Sequence, residues 1–240
     1  MRKRNMTIWV TVLVLSLVTP QLMGRIVFND GQIHNIDYEI NDEVFVDLAA
    51  PEMYTTVNLL PGGNIYYCLE AYNHSRVNIY GGRIGEELGA DDSSQINISG
   101  GSIQYLDAED SSEVIISGGF IEQNLYSIES SHVTVTGGSI GYEIIAGIPT
   151  HPHYGHYFDE SIITFVGSNF AINGQSVNYG WYSVFDYPSG GILTGTLANE
   201  VTLNNPFFVR EGSSIVLVPE PATILLLGLG AMMLRKKRNT

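Results

Sequence analysis

Between Val57 and Phe170 the apolar residues fall in short alternating pairs separated by polar or glycine-rich steps. Val57 and Leu59, Val77 and Ile79, Ile96 and Ile98, Val114 and Ile116, and Val133 and Val135 each enclose one intervening residue. Strict alternation over three to five residues, enriched in β-branched side chains and closed by Gly or Ser, predicts short strands and argues against helices. After each pair comes Gly-Gly-x-Ile, at Gly62, Gly81, Gly100, Gly118 and Gly137, with spacings of 19, 19, 18 and 19 residues. Further on, Leu69, Leu88, Leu106, Leu125 and Ile144 are each followed two positions later by Ala71, Ala90, Ala108, Ser127 and Ala146. A serine then precedes the next strand by two positions, at Ser75, Ser94, Ser112, Ser131 and Ser161.

Residue identity held at constant phase is the mark of a repeat architecture. At roughly 3.3 Å per extended residue, one unit traces about 60 Å, enough to circle a narrow core on three short sides. The chain is therefore expected to be all-β, a parallel β-solenoid (β-helix) of about six coils, its Val, Ile and Leu stacked inward and its glycines at a corner. A β-sandwich also turns every 8 to 12 residues, but its strands do not repeat identity in phase. Residues 57–170 form the repeat, with 147–158 as an inserted loop. Residues 25–56 are expected as an N-terminal cap, with Val44-Phe45-Val46 extended, and 171–217 as a C-terminal β cap.

The two ends follow other rules. Arg2, Lys3 and Arg4 precede an apolar run from Ile8 to Val18 and a less apolar stretch to Gly24, the order of a secretory signal peptide. At the other end Val218-Pro219-Glu220-Pro221 leads into an apolar run from Ala222 to Leu234 and then Arg235, Lys236, Lys237 and Arg238. A helix over that run is only about 20 Å long, short for a permanent span. The basic cluster should stay cytoplasmic. Residues 218–238 resemble the PEP-CTERM sorting signal, through Pro219, Glu220 and Pro221 and the basic tail. The resemblance implies an exosortase-type processing protease as partner, passage through the inner membrane, and delivery to the cell surface or exopolysaccharide matrix. Residues 1–24 are then the leader and 218–240 the sorting tail, with signal and tail helices at the termini.

Charge narrows the partners. Seven of the eleven basic residues lie in those two ends; residues 25–218 hold four arginines against 24 carboxylates, a formal balance of −20. Such a body repels phosphate backbones, which excludes nucleic acid as a partner. It has no lysine for Schiff-base chemistry, and Cys68, the single cysteine, allows neither an internal disulfide nor a Cys-based zinc site.

Two groups of residues are candidates for chemistry. Asn73, Asp92, Asp110, Glu129 and Asp159 occupy one phase of the repeat, so a solenoid stacks them in a column. Carboxylates about 4.8 Å apart repel, and calcium, an oxygen-seeking cation, would relieve Asp92, Asp110 and Glu129. Ordinary turn chemistry, with Asp capping backbone amides, accounts for the same residues without a cation. In the inserted loop, His151, His153 and His156 with Asp159 offer metal-ligand chemistry, although their spacing matches no strong ligand motif. A surface loop touching a sugar ring is the alternative there. No residue is assigned a catalytic role. Asp91 with Asp92, or Asp107 with Asp110, could be acid and base in a β-helix polysaccharide lyase or glycoside hydrolase. A lyase acting on acidic sugars needs cations that the coils scarcely supply. The reading favoured is a non-catalytic structural or adhesive protein in contact with surface polysaccharide.

Overall fold

The structure, a computed structural model, describes residues 24–48, 53–147 and 159–221. The chain winds through β1 (Arg25–Phe28), β2 (Ile33–Ile36) and β3 (Glu39–Ile40), then β4 (Glu43–Val46), β5 (Thr56–Leu59) and β6 (Asn64–Ile65). Next come β7 (Leu69–Ala71), β8 (Arg76–Ile79), β9 (Arg83–Ala90), β10 (Gln95–Ile98), β11 (Ser102–Ala108) and β12 (Glu113–Ile121). β13 (Leu125–Ser127), β14 (His132–Ile140), β15 (Ile144–Ala146) and β16 (Ile162–Ile172) complete the repeat, and β17 (Gln175–Ser176), β18 (Gly180–Tyr182), β19 (Gly191–Leu197), β20 (Thr202–Val209) and β21 (Ser214–Pro219) follow it.

These strands stack in parallel on three faces of a β-solenoid. One face runs β2, β5, β8, β10, β12, β14, β16, β21. A second runs from β3 through β6, β9 and β11 to the later halves of β12 and β14. The third runs β1, β4, β7, β9, β11, β13, β15, β20. Register is set by the inward residues: Val57, Val77, Ile96, Val114 and Val133 align, as do Leu69, Leu88, Leu106, Leu125 and Ile144. All are essentially buried in one continuous core. Each fully buried Val, Leu or Ile contributes about 1.5–3 kcal/mol relative to an exposed one.

The corner between the first two faces is where glycine is required. Gly82, Gly101, Gly119 and Gly138 take φ of 77°, 82°, 81° and 83°. A Cβ on Gly101 would also lie 2.9 Å from the Gly81 carbonyl oxygen in the coil before. The phased serines at the opposite corner, Ser75, Ser94, Ser112, Ser131 and Ser161, are wholly buried, and Thr55 and Ser213 extend their column beyond the repeat.

The parallel stack reaches past the sequence repeat at both ends. Residues 25–46, expected as a cap, are in-register coils, with β4 paired to β1 on one side and β7 on the other. Their sequence lacks Gly-Gly, so the repeat did not announce them. At the far end β16 follows β14 only as far as Phe165 and then pairs antiparallel with β19, while β20 and β21 return to the parallel ladders. Among the described residues, no helix is long and apolar enough to cross a membrane. The signal helix and the apolar run from Ala222 lie outside the described residues, and Val218 and Pro219, expected in the tail, finish β21.

Replacing Gly101 with Ala should destabilise the fold by about 1–3 kcal/mol, the usual cost of a non-glycine residue held at positive φ against backbone. Ile103→Ala, which empties a fully buried site one coil corner away, should cost about 2–5 kcal/mol. Urea titrations followed by circular dichroism read both, and a neutral Gly101→Ala would mean that the corner is wrongly placed.

Candidate functional site

The third face carries one outward column whose chemistry changes along the stack: Phe45, Glu70, Gly89, Asp107, Tyr126 and Ile145 are successive partners. To one side, Glu87 aligns with Tyr105. To the other, Tyr72, Asp91 and Glu109 each follow an inward alanine and donate their backbone N–H to the coil before, to Val46, Ala71 and Ala90. Because the inward Leu and Ala positions are locked in register, every outward carboxylate lands beside the next. Glu70, Glu87, Asp91, Asp107 and Glu109 thus gather over neighbouring coils around Gly89.

Gly89 is the notch in this cluster. A Cβ there would lie 3.1 Å from Glu70 Oε2 and 3.5 Å from Asp91 Oδ2, so the two carboxylates lean over the bare backbone. Tyr72 Oη donates to Glu70 Oε2 at 3.0 Å. Asp107 Oδ1 is buried with no hydrogen-bond partner. Below the cluster, the Arg25 guanidinium stacks 3.5 Å over the Phe45 ring. Among the described residues no salt bridge reaches these carboxylates; Arg83 pairs with Glu122 at 3.6 Å.

Burial and mutual repulsion therefore act together on ionisation. Burial, then Glu109 and Glu70, push Asp91 up to about 7. Burial, then Glu87 and Glu109, push Asp107 up to about 7. Glu87 and Glu109 also rise, in both cases chiefly through burial. Burial next to Glu70 and Glu87 lifts the Cys68 thiol to about 11. At neutral pH this face can hold and release protons, which is the first requirement of general acid–base work.

The residues singled out in the sequence are distributed differently. Asn73, Asp92, Asp110 and Glu129 do form one column, at φ of 56°, 57°, 53° and 60°. They sit at a left-handed turn position that Asn and Asp tolerate well. Asp92 Oδ2 accepts the Asn73 N–H at 3.1 Å, and Asp110 Oδ2 accepts the Asp92 N–H at 3.2 Å. A hydrogen bond with Asp110 raises the Glu129 carboxyl. Asp159 turns inward instead: its Oδ1 accepts the Ser213 hydroxyl at 2.6 Å and the Ser161 N–H at 3.2 Å, at 5% exposure. His151, His153 and His156 lie outside the described residues. Among the described residues, no group of three or more His, Cys, Asp or Glu is arranged to hold a metal ion.

Of the acid and base candidates, Asp91 and Asp107 share the third face, whereas Asp92 and Asp110 belong to the turn column. Glu70, Glu87 and Glu109 were missed in the sequence, although Glu70 and Asp107 each follow an inward Leu by one position and were open to detection by phase.

The PEP-CTERM protein-sorting motif model matches residues 217–238. Comparison with curated proteins and with solved structures gives no match. The motif is a signal for export and surface sorting that an exosortase recognises. Its matched residues begin inside β21, at Leu217.

The carboxylate face sets a pH dependence. Asp91 and Asp107 ionise near 3.8 in the unfolded chain and near 7 in the fold. Between those values the native state binds more protons, so stability should fall as pH rises from 4 to 8. Melting temperatures across that range should decline, and Asp107→Asn should flatten the decline and raise the melting temperature at pH 8. A variant that melts below the parent at pH 8 would show that the Asp107 carboxylate is stabilised there.

Proposed function

We propose that the protein is an exported, non-catalytic structural or adhesive element of the cell surface or exopolysaccharide matrix. The leader ends at Gly24, residues 25–217 are the working body, and an exosortase-type protease removes the tail. The observation that carries this reading is the junction at β21: the last strand of the stack runs through Pro219 directly into the sorting motif. A rigid rod made of short repeated coils is thereby delivered outward with its side faces free.

Those faces suit repetitive contact. Asn35, Asn58, Asn78 and Asn97 form an amide ladder on the first face, linked by side-chain hydrogen bonds of 2.8, 2.9 and 3.1 Å. Exposed Tyr66, Tyr80 and Tyr142 add apolar discs of the kind that stack on sugar rings. The balance of −20 in the body favours neutral over acidic glycan.

A second reading, a carbohydrate-active enzyme of β-helix type, draws on Asp91 and Asp107, two neighbouring carboxyls raised to about 7 on one solvent-facing wall. The two readings separate on a panel of neutral and acidic polysaccharides. The non-catalytic protein should bind in co-sedimentation and release neither reducing ends nor unsaturated sugar. Release that Asp107→Asn abolishes would establish the enzyme.

The address is tested in cells that carry an exosortase. Changing Pro219, Glu220 and Pro221 together to alanine should leave an unprocessed chain in the inner-membrane fraction, while the parent reaches the surface as a shorter species on immunoblots. Equal processing of both would remove the basis of the assignment.

A further inference from the structure

At the C-terminal end of the solenoid several large apolar side chains stay open to solvent. Strands β17, β18 and β19 run antiparallel to the stack and close it, β18 against β21 and β19 against β16 and β20. Trp181 and Phe185 stand out from this closure at 64% and 84% exposure. Tyr179 and Ile192, on the same closing segment, are about half exposed, the Tyr179 ring lying edge-on to the buried Phe170 and its hydroxyl donating to the Gly167 carbonyl at 3.4 Å. Trp181 and Phe185 are the most exposed aromatic side chains among the described residues.

Their position relative to the chain exit identifies what covers them. Trp181 pairs with Val216 on β21, and Gly180 with Leu217. Tyr179, one residue before β18, therefore lies beside the end of β21 from which the chain leaves the body. The apolar run begins at Ala222, six residues beyond Val216. At about 3.3 Å per residue, with about 4.8 Å between strands, Trp181 is held within roughly 20 Å of the point where that run enters a bilayer. A tether of Glu220 and Pro221 after the end of β21 is too short to carry the body far from the surface. Aromatic rings concentrate at such lipid–water interfaces, where an apolar body meets a polar rim.

The rim is present. The Asp186 carboxylate accepts both the N–H and the hydroxyl of Ser183, at 2.8 and 3.0 Å, which holds it charged beside Phe185. That arrangement favours shallow seating at the headgroups over deep insertion. The net negative body further favours zwitterionic over anionic lipid.

We propose that Trp181 and Phe185, flanked by Tyr179 and Ile192, form a membrane-contact patch that seats the capped end of the solenoid on a zwitterionic lipid surface while the tail is in place. This rests on the sorting-tail reading above, because the tail brings the patch to the bilayer. Trp181 continues the outward column of the first face through Val216, Thr164 and Thr134, so before tail removal the last rung of that face rests against the lipid.

The sequence provides the probe. It has two tryptophans, Trp9 in the leader and Trp181, so the chain from Arg25 to Thr240, freed of its leader, reports on Trp181 alone. That chain is reconstituted into vesicles of phosphatidylcholine and phosphatidylethanolamine, with and without acyl chains brominated near the headgroup. Trp181 emission should be quenched about twofold or more by the brominated lipid, as expected for a ring at the interface. Phe185→Ser should weaken the quenching while leaving flotation with vesicles unchanged. A chain that floats but keeps full Trp181 emission overturns the patch alone. Blue-shifted emission insensitive to bromine overturns it in favour of contact with a second copy. Failure to float overturns the tail reading and the patch together.

Discussion

In-register parallel stacking is the constraint on which the rest of the structure depends. Each coil exchanges backbone N–H···O=C bonds with both neighbours, as Asp91 donates to Ala71 in the coil before and Leu106 to Asn124 in the coil after, so a strand of three or four residues is stable only as part of the column. Inward residues share this geometry: a Leu in one coil faces a Leu or Ile in the next, as in Leu88, Leu106, Leu125 and Ile144. A slip of one position would turn those residues to solvent and bury the polar residues between them. The core and the hydrogen-bond ladder therefore choose the same register.

That register acts equally on the outward residues, where like beside like has opposite consequences for amides and for carboxylates. Asparagine carries both donor and acceptor, so Asn35 to Asn97 link into a ladder that supports the stack. Carboxylates have only acceptors when ionised. At the turn column they escape repulsion partly by accepting backbone N–H groups of the neighbouring coil, as Asp92 and Asp110 do. On the third face Asp107 Oδ1 finds no such donor, and the cluster adjusts by taking up protons. Raised carboxyls here follow first from burial and then from acidic neighbours placed side by side on a repeating scaffold, and structural clusters of this kind also arise without catalysis.

How far this was legible depends on phase. Constant 18- and 19-residue spacing made the solenoid, its inward columns and its glycine corner readable, because identical residues at identical phase occupy identical environments. The same reasoning placed Asp92, Asp110 and Glu129 in one column. It did not reveal coils around Ile26, Val44 and Ile40, where β1 to β4 follow the geometry without the Gly-Gly signature. Nor did it reveal that β20 and β21 rejoin the stack after an antiparallel excursion, since that return depends on partners far apart in sequence, such as Ile144 with Phe207. The cluster around Gly89 was half visible: Asp91 and Asp107 stood out, but Glu70, Glu87 and Glu109 acquire meaning only when adjacent coils are laid side by side. Asp159 shows the opposite limit, because its phase matched the column while Ser213, 54 residues away, drew its carboxylate inward.

The two ends of a solenoid face one problem and solve it differently here. At the first coil His34 takes an inward position, opposite Val57; its ring packs 4.4 Å from Phe28 and its Nε2 meets Asp30 Oδ1 at 2.8 Å. Side chains thus close the core, and among the described strands β1, β2 and β3 each pair on one side only. At the last coil strands do the closing: β18 and β19 cross antiparallel, and Asn205, almost wholly buried, donates to the Ile140 and Tyr142 carbonyls at 2.8 Å each. An antiparallel closure blocks further parallel growth, because the edge that it presents runs against the direction of the coils. Parallel continuation of the ladders is therefore open at β1, β2 and β3 among the described strands, while at the other end β18 offers an antiparallel edge beside the strand that runs into the sorting motif.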